Sequence, residues 1–114
     1  MPLPPLVRQL VDAKLTRYCS DKVSSDLHDK LQVLHRVRGN SVTIYESRPM
    51  FNDQSRKVDT VVAQFRYDPK DSTWALYYAD RNSKWHLYVD ADPSSNLDDL
   101  LAEVEEDPTY IFWG

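Results

Sequence analysis

The side chains able to move a proton or polarise a bond are few and scattered. Glu46, Asp59, Asp80, Arg81, His35 and His86 make up the acid, base and electrophile set. A metal-dependent nuclease or hydrolase needs two or three carboxylates and a basic group converging on one ion. Asp59 is followed by Gln64 and Arg66 and lacks an acid-x-Lys strand pattern, and His28, His35 and His86 show no His-x-x-x-His spacing. Asp80-Arg81-Asn82 lies between two apolar runs, where Asp and Asn cap their own backbone in turns. His86 sits between Trp85 and Leu87, and His35 among Val33 and Val37, as expected for histidines each held by one hydrogen bond in a sheet. A small hydrolase centred on Glu46, Asp80 and His86 is therefore the second reading, behind a non-enzymatic one.

Scarce residues exclude whole classes of chemistry. The only glycines are Gly39 and Gly114, so the clustered glycines of a P-loop, a dinucleotide fingerprint or a Gly-x-Ser-x-Gly elbow are absent. Cys19 is the one cysteine, so there is no intrachain disulfide and no Cys-rich zinc site. It reads as a packing residue in a reducing compartment. No cofactor and no metal are expected. No apolar run is long enough to span a bilayer, and Met1-Pro-Leu-Pro-Pro5 lacks the charged start and apolar core of a signal peptide. The expectation is a soluble cytoplasmic protein that does not engage membranes.

The residues suited to recognition are better organised. Arg66, Tyr77, His86 and Tyr88 fall on one side of three successive strands when faces are separated by period two, and Thr43 and Tyr45 extend that side. Rings beside cations on a sheet suit single-stranded nucleic acid, whose bases stack while cations hold phosphates. The plainer reading is an ordinary solvated face, where Tyr is a good β-former and cross-strand rings add a few tenths to about 1 kcal/mol. A second candidate is the connection over 48–58, longer than its neighbours, as functional loops often are. There Met50 and Phe51 could anchor a partner, and Arg48, Arg56 and Lys57 could meet phosphate or carboxylate. Against that stands a Phe51 tucked into the core edge with its charged neighbours solvated.

These groups are positioned by a regular alternation of elements. The spacing predicts a helix over 3–19, with Pro4 and Pro5 in its first turn and a stripe through Leu3, Leu6, Val7, Leu10, Ala13 and Lys14, widened by Val11, Leu15 and Tyr18. Alternating patterns predict strands over 31–38, 41–47, 59–67, 73–79 and 84–90, the first two joined at Gly39-Asn40. Val61, Ala63, Phe65, Tyr67, Trp74, Leu76, Tyr78, Trp85, Leu87 and Val89 are expected on the core side. A second helix over 95–106 follows, with Leu97, Leu100, Leu101 and Val104 inward and Asp98 and Asp99 at its positive end. Asp107-Pro108 stops it, and Tyr110-Ile-Phe-Trp113 is too apolar for a free tail, so it should dock as a short strand or into the core. The fold class is thus α+β: an N-terminal helix, a five-stranded antiparallel meander forming a twisted sheet or half-barrel, a C-terminal helix and a docked terminal strand, all in one domain.

Trp74-Ala-Leu-Tyr-Tyr-Ala-Asp-Arg-Asn-Ser-Lys-Trp-His-Leu-Tyr88, with Val62-Ala-Gln-Phe-Arg-Tyr67, Glu46-Ser-Arg-Pro49 and the closing Asp107-Pro-Thr-Tyr-Ile-Phe-Trp-Gly114, resembles a family of small bacterial proteins known as domain of unknown function number 3024. The Asp-Arg-Asn turn and the terminal Phe-Trp-Gly are the more specific parts, and the likeness runs from about Leu31 onward. It implies a bacterial or phage origin and a single complete domain. It brings no activity and no site residue.

Charge is unevenly spread. The formal net charge is −4. All fourteen Lys and Arg lie in residues 1–90 with eleven acids, whereas residues 91–114 hold seven acids and no base. The acidic stretch reads as one solvated helix face. A net acidic chain argues against general nucleic-acid coating but leaves a local basic patch open. The partner classes are therefore a protein or a second copy of the chain, with single-stranded nucleic acid as a minor alternative.

Overall fold

The computed structural model describes residues 2–113. It contains α1 (Pro5–Lys22), a 3₁₀ turn (Ser25–Leu27), strands β1 (Gln32–Arg38), β2 (Ser41–Pro49), β3 (Lys57–Asp68), β4 (Thr73–Ala79) and β5 (Trp85–Leu87), and α2 (Leu97–Glu106). The strands form one open antiparallel sheet in sequence order. This is the expected α+β meander. The short connections leave each strand no neighbour but the next in sequence.

Both helices lie on one face of the sheet and close the core against it. α1 begins at Pro5, where the missing N–H is no loss. Its inward row recurs every four residues through Leu3, Val11, Leu15 and Cys19, with Val7 packed beside it. Leu6 and Leu10 fall off that row and stay exposed, so the buried stripe is narrower than the one expected from sequence. α2 starts at Asn96, whose side chain accepts the Asp98 N–H at 3.1 Å. Its inward residues Leu97, Leu100, Leu101 and Val104 are the expected ones. Fully buried Phe65, Leu15, Ile44, Leu76 and Leu100 form the centre, each contributing on the order of 1.5–3 kcal/mol from burial.

Two irregularities decide which side chains face outward. Ile44 pairs with Ala63 and Tyr45 with Val61, so Val62 is the extra residue of a β-bulge. Val62 is buried, while Val61 turns to the outer side and is only half-buried. The core assignment of Val61 is corrected accordingly. The second irregularity is the five-residue connection into β5. The Asp80 carboxylate accepts the N–H groups of Asn82 and Lys84, and its own N–H donates to the Lys84 carbonyl. Ala79 therefore pairs with Trp85, Tyr78 with His86, and Tyr77 with Leu87. This sets His86 and Tyr88 on the helix side, and Trp85 and Leu87 on the outer side, the reverse of the assignment by alternation.

The C-terminal segment does dock, through a clasp of turns rather than as a strand. Asp107 sits in the left-handed region at φ 45° and is buried. Its carboxylate accepts the N–H of Phe112 at 3.0 Å and of Trp113 at 2.7 Å. Phe112 is thereby held in the core, 5.1 Å from the Tyr88 ring.

Candidate binding surface

The outer face of the sheet is not covered by either helix, and the strand register orders its central part into three rows. One row runs Arg38, Ser41, Arg66, Ala75 across β1 to β4. The next runs Arg36, Thr43, Gln64, Tyr77, Leu87 across all five strands. The third holds Leu34, Tyr45 and Val61 on β1 to β3, with the pair Ala79 and Trp85 on β4 and β5. Rows lie about 6.8 Å apart along the strands, and neighbours within a row about 4.8 Å apart. Across these three rows the surface passes from basic through polar to apolar. The two carboxylates of this face, Asp68 and Asp59, lie in the flanking rows, Asp68 with Thr73 beyond the arginines and Asp59 with Ser47 and Gln32 beyond Tyr45.

Side-chain contacts fix the groups in place. The Arg66 guanidinium lies over the Tyr77 ring, 3.9 Å from its centroid, and Arg36 lies 5.1 Å from that of Tyr45. Arg66 Nε donates to Gln64 Oε1 at 2.7 Å, and Gln64 Nε2 donates to Thr43 Oγ1 at 3.0 Å. Thr43 is buried beneath these long side chains although no element packs over it. A cation over an aromatic ring at a partly exposed site gains about 0.5–1 kcal/mol. Stacks of this kind are ordered before any ligand arrives.

Of the residues expected on this face, Arg66, Tyr77, Thr43 and Tyr45 are there. His86 and Tyr88 are not. Tyr88 is 3% exposed, wedged between Tyr78 and Phe112, and offers no ring to a ligand. His86 Nε2 is bonded to Asp80 Oδ2 at 2.8 Å and stacks on Tyr78. Arg36, Arg38, Trp85 and Leu87 were missed. Arg36 and Arg38 were legible as the outer positions of β1. Only the hairpin pairing through Gly39-Asn40 brings them beside the Tyr-bearing strands.

The connection is tighter than its sequence suggests. β2 and β3 extend into it, with Pro49 paired to Lys57, and only residues 50–56 are loop. Arg48 is paired with Glu46 at 2.9 Å and Arg56 with Asp53 at 3.6 Å. Phe51 stands fully in solvent, so it does not tuck into the core edge. Lys57 is exposed at the strand end.

The acid–base candidates do not converge. Glu46 serves Arg48, His35 bonds Asp12 on α1 at 3.1 Å, and Asp80 serves its turn and His86. The bond from His86, with the turn N–H groups, lowers the pKa of Asp80. The bond from His35 does the same for Asp12. Arg81 is exposed in the turn and Asp59 is exposed on β3. Among the described residues no three His, Cys, Asp or Glu side chains are placed to hold a metal ion. Burial pushes the Cys19 thiol up to about 11, which suits packing and not nucleophilic attack.

A family model described as "Domain of unknown function (DUF3024)" matches residues 3–114. The chain belongs to this family. The match includes α1 as well as the sheet and the C-terminal clasp of this DUF3024 domain, so it reaches further toward the N-terminus than the likeness read from Leu31 onward. No curated protein and no solved structure matches the chain. Among the described residues no helix of the DUF3024 domain is long and apolar enough to cross a membrane.

Proposed function

We propose that this DUF3024 domain is a non-enzymatic binding module whose outer sheet face engages an extended anionic partner. The observation that carries the reading is the row order: Arg38 and Arg66, then Arg36, Gln64 and Tyr77, then Tyr45 and Trp85, on a face that no helix covers. The acids of α2 lie on the opposite side of the sheet, and Asp98 and Glu105 there are paired with Lys14 and Lys22 of α1. A negative ligand is therefore attracted to one side of the molecule. The 50–56 loop is a weaker candidate because Arg48 and Arg56 are already paired. The single buried, unpaired Cys19 fits a reducing, cytoplasmic setting.

Amide chemical-shift mapping during titration with heparin, a generic polyanion, tests the reading. Shifts concentrated at Arg36, Arg38, Arg66 and Tyr77 are expected. Shifts centred on the 50–56 loop, or none at low salt, overturn it. So does a light-scattering dimer that Arg36→Glu dissociates, because the face would then be occupied by a second copy.

A further inference from the structure

We infer that the anionic partner is single-stranded nucleic acid, with phosphates on the arginine row and bases on the ring-bearing rows. This rests on the reading of the outer face as a binding surface. Three features separate nucleic acid from an acidic peptide, which would use the charges alone.

The first is planarity. The Tyr77–Arg66 and Tyr45–Arg36 stacks each present a flat cation or ring. Bases stack on aromatic rings and on guanidinium planes alike. The second is the placement of an amide between the stacks. Gln64 is fixed by Arg66 and Thr43, and its side chain can meet a base edge with a donor and an acceptor whose orientation is already set. The third is the sequence of rows. Arg38 stands one row, about 6.8 Å along the strands, from Arg36 and Gln64, while the Arg66 guanidinium reaches across to the Tyr77 ring, so phosphate sites lie both beside and at the edge of the ring-bearing rows. Beyond them the apolar pair Trp85 and Leu87 extends the stacking surface. An open sheet face also presents broad contact to splayed bases, whereas reading a duplex requires an element that enters a groove. Arg66 spends only Nε on Gln64, so its terminal N–H groups stay free for phosphate oxygens.

Fluorescence anisotropy of the purified chain tests this, with a labelled mixed-sequence oligonucleotide of about ten nucleotides, near the footprint of one small sheet-type module. Single-stranded RNA, single-stranded DNA, the corresponding duplex and a polyglutamate peptide are run in parallel. With two cations on phosphate, raising salt from about 50 to 200 mM should weaken single-strand binding about sevenfold. Arg66→Gln should weaken binding and lower the log–log salt slope by about 0.7. Tyr77→Leu should weaken it at least about fivefold with the slope unchanged. Arg66→Lys, which keeps the charge and disturbs the fold least, should retain the slope and lose affinity.

Duplex binding as tight as single-strand binding overturns the assignment. So does polyglutamate binding without oligonucleotide binding, or affinity unmoved by all three substitutions with folding intact by circular dichroism. If heparin shifts still map to the face while no oligonucleotide binds at about 50 mM salt, where phosphate contacts are strong, the binding module stands and the nucleic-acid assignment falls. If neither binds, both fall.

Discussion

The guanidinium of Arg66 stacks on the ring of Tyr77 at 3.9 Å while its Nε is held by Gln64. The two residues sit on adjacent strands, one row apart, since Gln64 is the direct partner of Tyr77 and Arg66 that of Ala75. A long cation on a sheet usually samples many rotamers; here two contacts select one. Double-mutant analysis of Arg66→Ala and Tyr77→Leu by urea denaturation should give a coupling of about 0.5–1 kcal/mol. Additive effects would mean that the stack is not maintained in solution.

The Asp107 clasp predicts a large local effect on stability. Asp107→Ala removes a buried carboxylate accepting two N–H groups and puts a Cβ-bearing residue without that compensation at φ 45°. The expected loss is about 3 kcal/mol, read from the denaturation midpoint. Asp107→Gly relieves the backbone conformation but not the lost bonds, so it should recover only about 1 kcal/mol. Full recovery would assign the effect to the backbone alone.

Glu105 makes stability depend on pH. It accepts a hydrogen bond from Tyr18 at 2.7 Å and pairs with Lys22 at 2.9 Å. The Tyr18 bond first, then the Lys22 bond, holds its pKa below the ordinary 4.5. A carboxylate depressed in the folded state binds fewer protons there than in the unfolded chain. Its contribution is therefore complete above 4.5 and is lost as pH falls through the folded value. Glu105→Gln should cost about 1 kcal/mol at pH 7, given that the group is half-exposed, and the difference should vanish toward pH 3. A difference that persists at pH 3 would point to packing instead of charge.

Cys19 should be slow to modify. Its thiol is buried on the inward side of α1, and that burial raises its pKa to about 11. Ellman's reagent at pH 8 should label the folded protein orders of magnitude more slowly than the urea-unfolded chain. Comparable rates would show that this helix end opens readily.

The elements were legible because the apolar periods are clean. The inward side of α2, the Gly39-Asn40 hairpin and the strands around Phe65 and Leu76 follow from spacing alone. The face assignments failed where one residue reverses parity. Val62 is inserted opposite β2, and in Thr-Val-Val-Ala63 nothing distinguishes the bulged valine from its neighbour. At β5 the run Trp85, Leu87, Val89 imitates an inward set. The Asp80 turn instead fixes a register in which Tyr88 goes inside, against a Phe112 that lies far along the chain. The basic row was hidden for another reason. Arg38 and Arg66 are separated by all of β2 in sequence, and only the pairing of Ser41 with both brings them into one row.

The strand order also says something about how the molecule assembles over time. Every strand pairs with its neighbour in sequence, so the sheet can zip by successive hairpins with short loop closures. The contacts that span the chain are of a different kind: Lys14 with Asp98, and Tyr18 and Lys22 with Glu105, bridge separations of more than eighty residues. They join the first helix to the last over a sheet that needs neither of them to find its register. Weakening them, as with Lys14→Ala, should leave the folding rate in stopped-flow nearly unchanged and speed unfolding. The meander would then set how quickly the chain folds, and the helix-to-helix latch how long it stays folded.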